Sequence, residues 1–242
     1  MKYIIALLLV ITNNLHAQSI EAGSVTVRQK ILFFDTTTEV SFVQYLTGKP
    51  SPTIVMAHGC NGPTYTWPDR LREWGYNVVV PNSFTARGYK NICHNTRLVT
   101  PEQRRLDIEE VVKWIEQQPW HQGKIGYMGF SHGGWTGQHI ASNSTANIAA
   151  MVNFYPYCDH SDYSPKFPVQ IHIGDLDDWT PANRCVTVAK NPNYDLHIYK
   201  GVYHSFDEGN EMVVAGHKIS YNSEANKSAE AKTKAFFQRY LK

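Results

Sequence analysis

The sequence predicts an α/β fold: a mostly parallel central sheet with an N-terminal antiparallel hairpin and helices on both faces. Two observations carry this. From Thr53 onward, short continuous apolar runs recur at Thr53 to Met56, Asn77 to Val80, Lys124 to Met128, Ala149 to Phe154, Val169 to Ile173 and Asp195 to Tyr199. Strands buried on both faces of a sheet read this way, whereas half-solvated strands alternate. Helical patterns lie between the runs, and such alternation implies right-handed crossovers and parallel pairing.

The elements follow in chain order. Residues 1–17 carry Lys2, an apolar run from Tyr3 to Thr12, and Ala17 before Gln18. That is the pattern of a cleaved signal peptide, and the run is too short to span a bilayer. Residues 18–242 are then expected to form a single domain, a common size for α/β folds. Residues 24–34 and 38–46 are rich in Val, Phe, Thr and Tyr, and Asp35-Thr36-Thr37 between them reads as a turn. Over residues 101–118, Leu106, Ile108, Val111, Val112 and Ile115 form an apolar stripe, with Pro101 near the start and Pro119 just past the end. Asp107, Glu109 and Glu110 read as the wet face of that helix. Trp135 to Ser142 reads as another helix. A last one over residues 223–241 is capped by Ser223 and turns Ala225, Ala229, Phe236, Phe237, Tyr240 and Leu241 toward the sheet.

Charge and cysteine usage bound the partners. A formal net charge of +2 leaves no basic stripe to neutralise phosphates, which excludes nucleic acid as an expected partner. Export makes Cys60, Cys93, Cys158 and Cys185 candidates for two disulfides, with three pairings open on sequence alone. No CxxC pair or HxxxH helix supplies metal ligands, so no metal site is expected.

The chemistry-bearing motif is Gly129-Phe130-Ser131-His132-Gly133, which closes one apolar run and opens a helix. A serine at so sharp a strand-to-helix turn has its Oγ pushed into the open, and the flanking glycines let neighbouring chains approach. The helix that follows points its positive end at the place where an oxyanion forms. Ser131 is therefore the candidate nucleophile of an α/β-hydrolase fold, in which the acid and then the histidine come later in the chain. Two later strand ends supply them: Gly174-Asp175-Leu176-Asp177-Asp178-Trp179-Thr180-Pro181, and Gly201-Val202-Tyr203-His204. His204 is the candidate base. Asp177 is preferred as the acid, with Asp178 assigned to capping the next helix and Asp175 as the third possibility. His58-Gly59-Cys60-Asn61-Gly62 follows the first parallel strand, so the amides of Cys60 and His132 are the expected oxyanion donors. His58, His132, His172 and His217 take packing or backbone-facing side-chain roles.

HGCNG, PNSFTARG, GFSHGG, YPYC, GDLDDWTPA, YHSFD and AGHKISYNSEAN, taken in this order, resemble the dienelactone hydrolase family, in particular its exported members with a serine nucleophile. The resemblance runs from about Val40 to the C-terminus. It implies a Ser131, Asp177, His204 triad that acts on carboxylic esters or lactones without metal or organic cofactor. The founding members carry cysteine where this chain has Ser131, so their lactone specificity does not transfer. In that topology Cys60 and Cys93 follow adjacent strands, as do Cys158 and Cys185, which pairs them in that order. Arg87 is a candidate for binding a substrate anion, and Tyr155 and Trp179 for lining the pocket. Two rival functions share these residues: an exopeptidase or acyltransferase using the same triad, and a non-catalytic binding protein on the same fold.

Overall fold

The computed structural model describes residues 19–31, 34–63, 66–159, 164–208 and 211–242. The signal-peptide expectation over residues 1–17 lies outside them.

The chain opens with a long antiparallel pair, β1 (Ser19–Ile31) and β2 (Phe34–Leu46). The turn expected at Asp35 to Thr37 is instead strand: Lys30 pairs with Asp35, Gln29 with Thr36 and Arg28 with Thr37. β-branched threonines suit a pleated surface better than a turn. β3 (Ser51–Ala57) follows, then α1 (Thr66–Glu73), β4 (Asn77–Asn82) and a 3₁₀ turn at Thr85–Arg87. Next come α2 (Pro101–Ile115), β5 (His121–Phe130), α3 (His132–Asn143), β6 (Ala150–Phe154), β7 (Val169–Gly174), α4 (Ala182–Val188) and β8 (Tyr194–Tyr199). A short hairpin, β9 (Met212–Val214) and β10 (His217–Ile219), precedes α5 (Ser223–Leu241).

Eight strands form one sheet in the order β1-β2-β4-β3-β5-β6-β7-β8. β2 joins β4 antiparallel, and every pair from β4 through β8 is parallel. The continuous apolar runs thus became the parallel strands: Ile54, Val55, Val78, Val79, Met151, Val152, Ile171 and Ile173 are all fully buried.

Neighbouring residues of β5 show that helices cover both faces. A Cβ on Gly126 would meet Leu241 and Phe237 of α5, whereas the hydroxyl of Tyr127, the next residue, donates to the Gly133 carbonyl of α3 at 2.6 Å. Successive strand residues point to opposite faces, so α5 and α3 lie on opposite sides.

Two helix assignments need correcting. The cap of α5 is Asn222, whose side chain accepts from the Ala225 amide at 2.9 Å, and Ser223 is already helical. In α2, Asp107 and Glu109 are buried rather than wet. That helix packs against the sheet and α3 together, so more than one of its faces meets protein. Asp107 takes a two-pronged bond from Arg87, both contacts 2.8 Å, and Glu109 pairs with Arg105. Thr100 and Gln103 start α2 with a reciprocal capping box. Among the described residues no helix is long and apolar enough to cross a membrane.

Candidate active site

β3 and β5 are neighbours, so the loops leaving their carboxyl ends meet where the strand order reverses, the place where open α/β sheets bind ligands. The loop after β5 carries Ser131. Its backbone sits at φ 51° and ψ −112°, a strained conformation for a residue with a side chain. The strain is held from both sides: the Ser131 amide donates to the Phe154 carbonyl at 2.9 Å, and the Ser131 carbonyl accepts from the Trp135 amide at 2.8 Å. The glycines of the motif are sterically required. A Cβ on Gly133 would lie 2.0 Å from the Ala57 carbonyl oxygen, and one on Gly129 would lie 2.5 Å from the Gly133 oxygen. Close packing of α3 on β3 thus needs glycine at 133, and its packing on β5 needs glycine at 129.

The loops after β7 and β8 bring the other two side chains to Ser131. His204 Nε2 lies 3.0 Å from Ser131 Oγ, and His204 Nδ1 lies 2.7 Å from Asp177 Oδ2. His204 and Asp177 are 2% and 3% exposed, so their bond is shielded from water. A carboxylate only accepts, so the imidazole proton sits on Nδ1 and the Nε2 lone pair faces the serine hydroxyl.

The three neighbouring aspartates have distinct partners. Asp177 Oδ1 accepts from the amides of Trp179 at 3.0 Å and Thr180 at 2.8 Å, and its Oδ2 accepts from the Thr180 hydroxyl at 2.8 Å. Asp175 accepts from the Gly201 amide at 2.6 Å and so binds the loop that carries His204. Asp178 lies 3.2 Å from His217 at the exposed rim; the following helix takes no side-chain cap, which corrects the capping role expected for it. Thr180 is the side chain that sequence reading missed. Besides Asp177, three residues earlier in the same loop, its contacts are His204 and the Tyr155 carbonyl, which come from the ends of two other strands, so no local pattern marks it.

Cys60 is joined to Cys93, and Cys158 to Cys185. The first link ties the β3 loop to the segment after β4, reinforced by the Ile92 amide donating to the Cys60 carbonyl at 2.9 Å. Among the described residues, neither the Cys60 amide nor the His132 amide donates to a protein acceptor. The His132 ring is turned inward, away from the role of a base, and burial followed by the charge of Arg104 pulls its pKa down to about 3.

Two depressions open beside Ser131, of about 360 and 330 Å³. Thr96, Arg97, Trp135 and Tyr157 line the first, Tyr155, Met212, Val214 and Ile219 the second, and Trp179 lines both. The β9–β10 hairpin therefore walls one side of the site. A larger groove of about 460 Å³ opens between the amino ends of β7 and β8 and α5, away from Ser131. Arg87 lines neither depression, because its guanidinium is held by Asp107 and the Ser83 carbonyl. The arginine beside the serine is Arg97. Trp179 and Tyr155 both stand at His204, with ring centroids 5.1 and 4.5 Å from its own.

A strained serine between a parallel strand and a helix, facing a histidine and a buried aspartate from later strand ends, defines the α/β-hydrolase class. Within that class the chain belongs to the dienelactone hydrolase family, whose model matches residues 42–241. The carboxymethylenebutenolidase of Pseudomonas putida is 24% identical over 188 residues, covering 65% of this chain and 75% of that one. Two solved structures share the fold: a dienelactone hydrolase from Anabaena variabilis, with TM-score 0.65, 17% identity and coverage of 91% of this chain and 99% of that one, and a Pyrococcus furiosus esterase, with TM-score 0.69, 17% identity and coverage of 92% and 94%.

Proposed function

We propose that the chain is an exported serine hydrolase that cleaves carboxylic esters or lactones through an acyl-enzyme on Ser131. The observation that carries this is the unbroken path from Asp177 Oδ2 through the His204 ring to Ser131 Oγ, with contacts of 2.7 and 3.0 Å. Family membership and the neighbouring depressions support the same reading.

His204 Nε2 takes the hydroxyl proton as Ser131 Oγ attacks the acyl carbon, and Asp177 stabilises the imidazolium that forms. The negative charge on the former carbonyl oxygen is received by the Cys60 and His132 amides at the positive end of α3. His204 then returns the proton to the leaving alkoxide. Water enters, gives its proton to the same nitrogen and attacks the acyl carbon; His204 then returns that proton to Ser131 Oγ as the acyl–oxygen bond breaks and the acid leaves. No step calls on a cofactor or metal. Thr180 keeps the Asp177 carboxylate oriented on His204.

The two disulfides support an oxidising compartment outside the cytoplasm, periplasmic or secreted. The proposal includes a cleaved signal peptide over residues 1–17 and a mature single domain from residue 18. The reading is tested by assaying p-nitrophenyl butyrate, a δ-lactone and an aminoacyl anilide with the parent and with Ser131→Ala. Turnover of the ester and lactone, lowered at least about 10³-fold in the variant, is expected. Preference for the anilide favours a peptidase, and activity that survives in Ser131→Ala contradicts the acyl-enzyme.

A further inference from the structure

Arg104 of α2 is 1% exposed, yet among the described residues no carboxylate pairs with it. The acid one turn along the same helix, Asp107, is occupied by Arg87. A buried cation without an ion-pair partner costs several kcal/mol relative to water, so its neighbours have to account for it.

Those neighbours are the two segments that the proposed mechanism uses to hold an oxyanion. Arg104 Nη2 donates to the His58 carbonyl at 2.9 Å, two residues before Cys60 in the β3 loop. Arg104 Nη1 lies 2.9 Å from His132 Nδ1, in the residue directly after Ser131. The opposite ring nitrogen, His132 Nε2, lies 3.0 Å from the Thr96 carbonyl. A carbonyl only accepts, so Nε2 carries the proton and Nδ1 accepts from Arg104. The His132 side chain thus serves as a strut, neutral because burial and Arg104 hold its pKa near 3. Burial brings Arg104 down only to about 10, so it stays charged at neutral pH. The Phe84 ring, 5.0 Å from the guanidinium carbon, closes one face of the cation.

We infer that Arg104 is a positioning residue for the oxyanion site: it braces the Cys60 loop against the His132 turn, and its unpaired charge favours negative charge gathering between them. The inference rests on the acyl-enzyme reading. Its expected signature is selective for the tetrahedral state. A brace that fixes two donors matters most when the oxygen becomes charged and least when neutral ester first binds.

The test uses the full disulfide-bonded chain with Arg104→Met and Arg104→Lys, p-nitrophenyl butyrate as substrate and phenylboronic acid as the tetrahedral mimic. Arg104→Met is expected to lower kcat about 100-fold, the order of losing part of an oxyanion contact, while KM stays within about 3-fold. The phenylboronate inhibition constant rises in parallel. Arg104→Lys keeps the charge but cannot span both acceptors, and is expected to lose about 10-fold. Should Arg104→Met fail to fold, Arg104→Lys decides by the same split. Unchanged kcat and boronate affinity in a folded variant, or a loss confined to KM, overturns the inference. Labelling of the parent at Ser131 by a fluorophosphonate separates the two levels: no label sinks the acyl-enzyme reading and the inference with it, whereas a labelled parent with unaltered variants sinks only the role of Arg104.

Discussion

The hydroxyl of Tyr155 donates to Asp207 Oδ1 at 2.6 Å, and the Trp67 indole donates to the other oxygen of the same buried carboxylate at 2.7 Å. Asp207 follows His204 by three residues, so one side chain joins the histidine loop to α1 and to the end of β6. Asp207→Ala is expected to cost about 3 kcal/mol by leaving two buried donors without an acceptor. It should also loosen His204 and lower kcat about 10-fold. Asp207→Asn can place its oxygen on Trp67 and donate its amide to Tyr155, so it is expected to stay within about 1 kcal/mol of the parent. Thermal unfolding of the two variants checks this. Equal losses would show that the hydrogen bonds do not matter.

Acid is expected to destabilise the protein through buried histidines. His58, His132 and His172 have pKa values pushed below 6.5, chiefly by burial, so the unfolded chain takes up protons that the folded one refuses. Their stabilising contribution is present above pH 6.5 and falls as pH drops below it, by up to about 1.4 kcal/mol per unit for each. Asp207 acts in the opposite sense: burial raises its pKa to about 6, so it favours folding at low pH and loses that contribution as pH rises from 3.8 through 6. Three groups outweigh one. Urea midpoints at pH 7, 6 and 5 should therefore decline steadily, and His172→Gln should flatten the decline. A midpoint that is constant or rises on acidification contradicts this balance.

The proposed acid, Asp177, separates from its neighbour by mutation. Asp177→Asn is expected to lower kcat by about 10³- to 10⁴-fold, because the amide no longer holds the required imidazole tautomer. Asp178→Asn, at the rim beside His217, should leave kcat within about 2-fold. Steady-state kinetics on one ester decide between them, and the reverse ranking would move the acid to Asp178.

The two disulfides are expected to stabilise alike and to act differently on turnover. They span sequence separations of 33 and 27 residues, each worth about 3 to 4 kcal/mol by loop-closure entropy. Replacing Cys60 and Cys93 together by alanine frees the loop that carries the proposed oxyanion amide, so kcat falls along with stability. Replacing Cys158 and Cys185 should lower stability with the smaller effect on kcat. Equal kcat losses in the two double variants would remove the special role of the first link.

Much of this architecture was legible because burial on both faces leaves a plain mark: β3, β4, β6 and β7 are almost wholly buried, whereas β8, at the sheet edge, carries Asp195 and His197 and is only partly buried. The sharp turn at Ser131 was legible because the close approach of Gly133 to Ala57 admits no side chain. The aspartate that meets His204 was only partly so, since Asp175, Asp177 and Asp178 share one loop and are distinguished by partners about 25 to 40 residues away. Arg87 and Arg104 were not legible. In sequence each is a charged residue on a turn or a helix, and only the packing of α2 against sheet and α3 turns one toward Asp107 and the other toward His132. The β9–β10 hairpin also escaped notice, being three residues per strand with no core of its own.

The central claim is that Ser131 becomes an acyl-forming nucleophile because His204 removes its proton. Mass mapping after reaction with a fluorophosphonate tests this directly, with the parent, Ser131→Ala and His204→Ala compared in parallel. A single adduct on the Ser131 peptide of the parent, absent in Ser131→Ala and formed at least about 10³-fold more slowly in His204→Ala, is the predicted result. An adduct on another residue, or one that forms as fast without His204, would contradict the account.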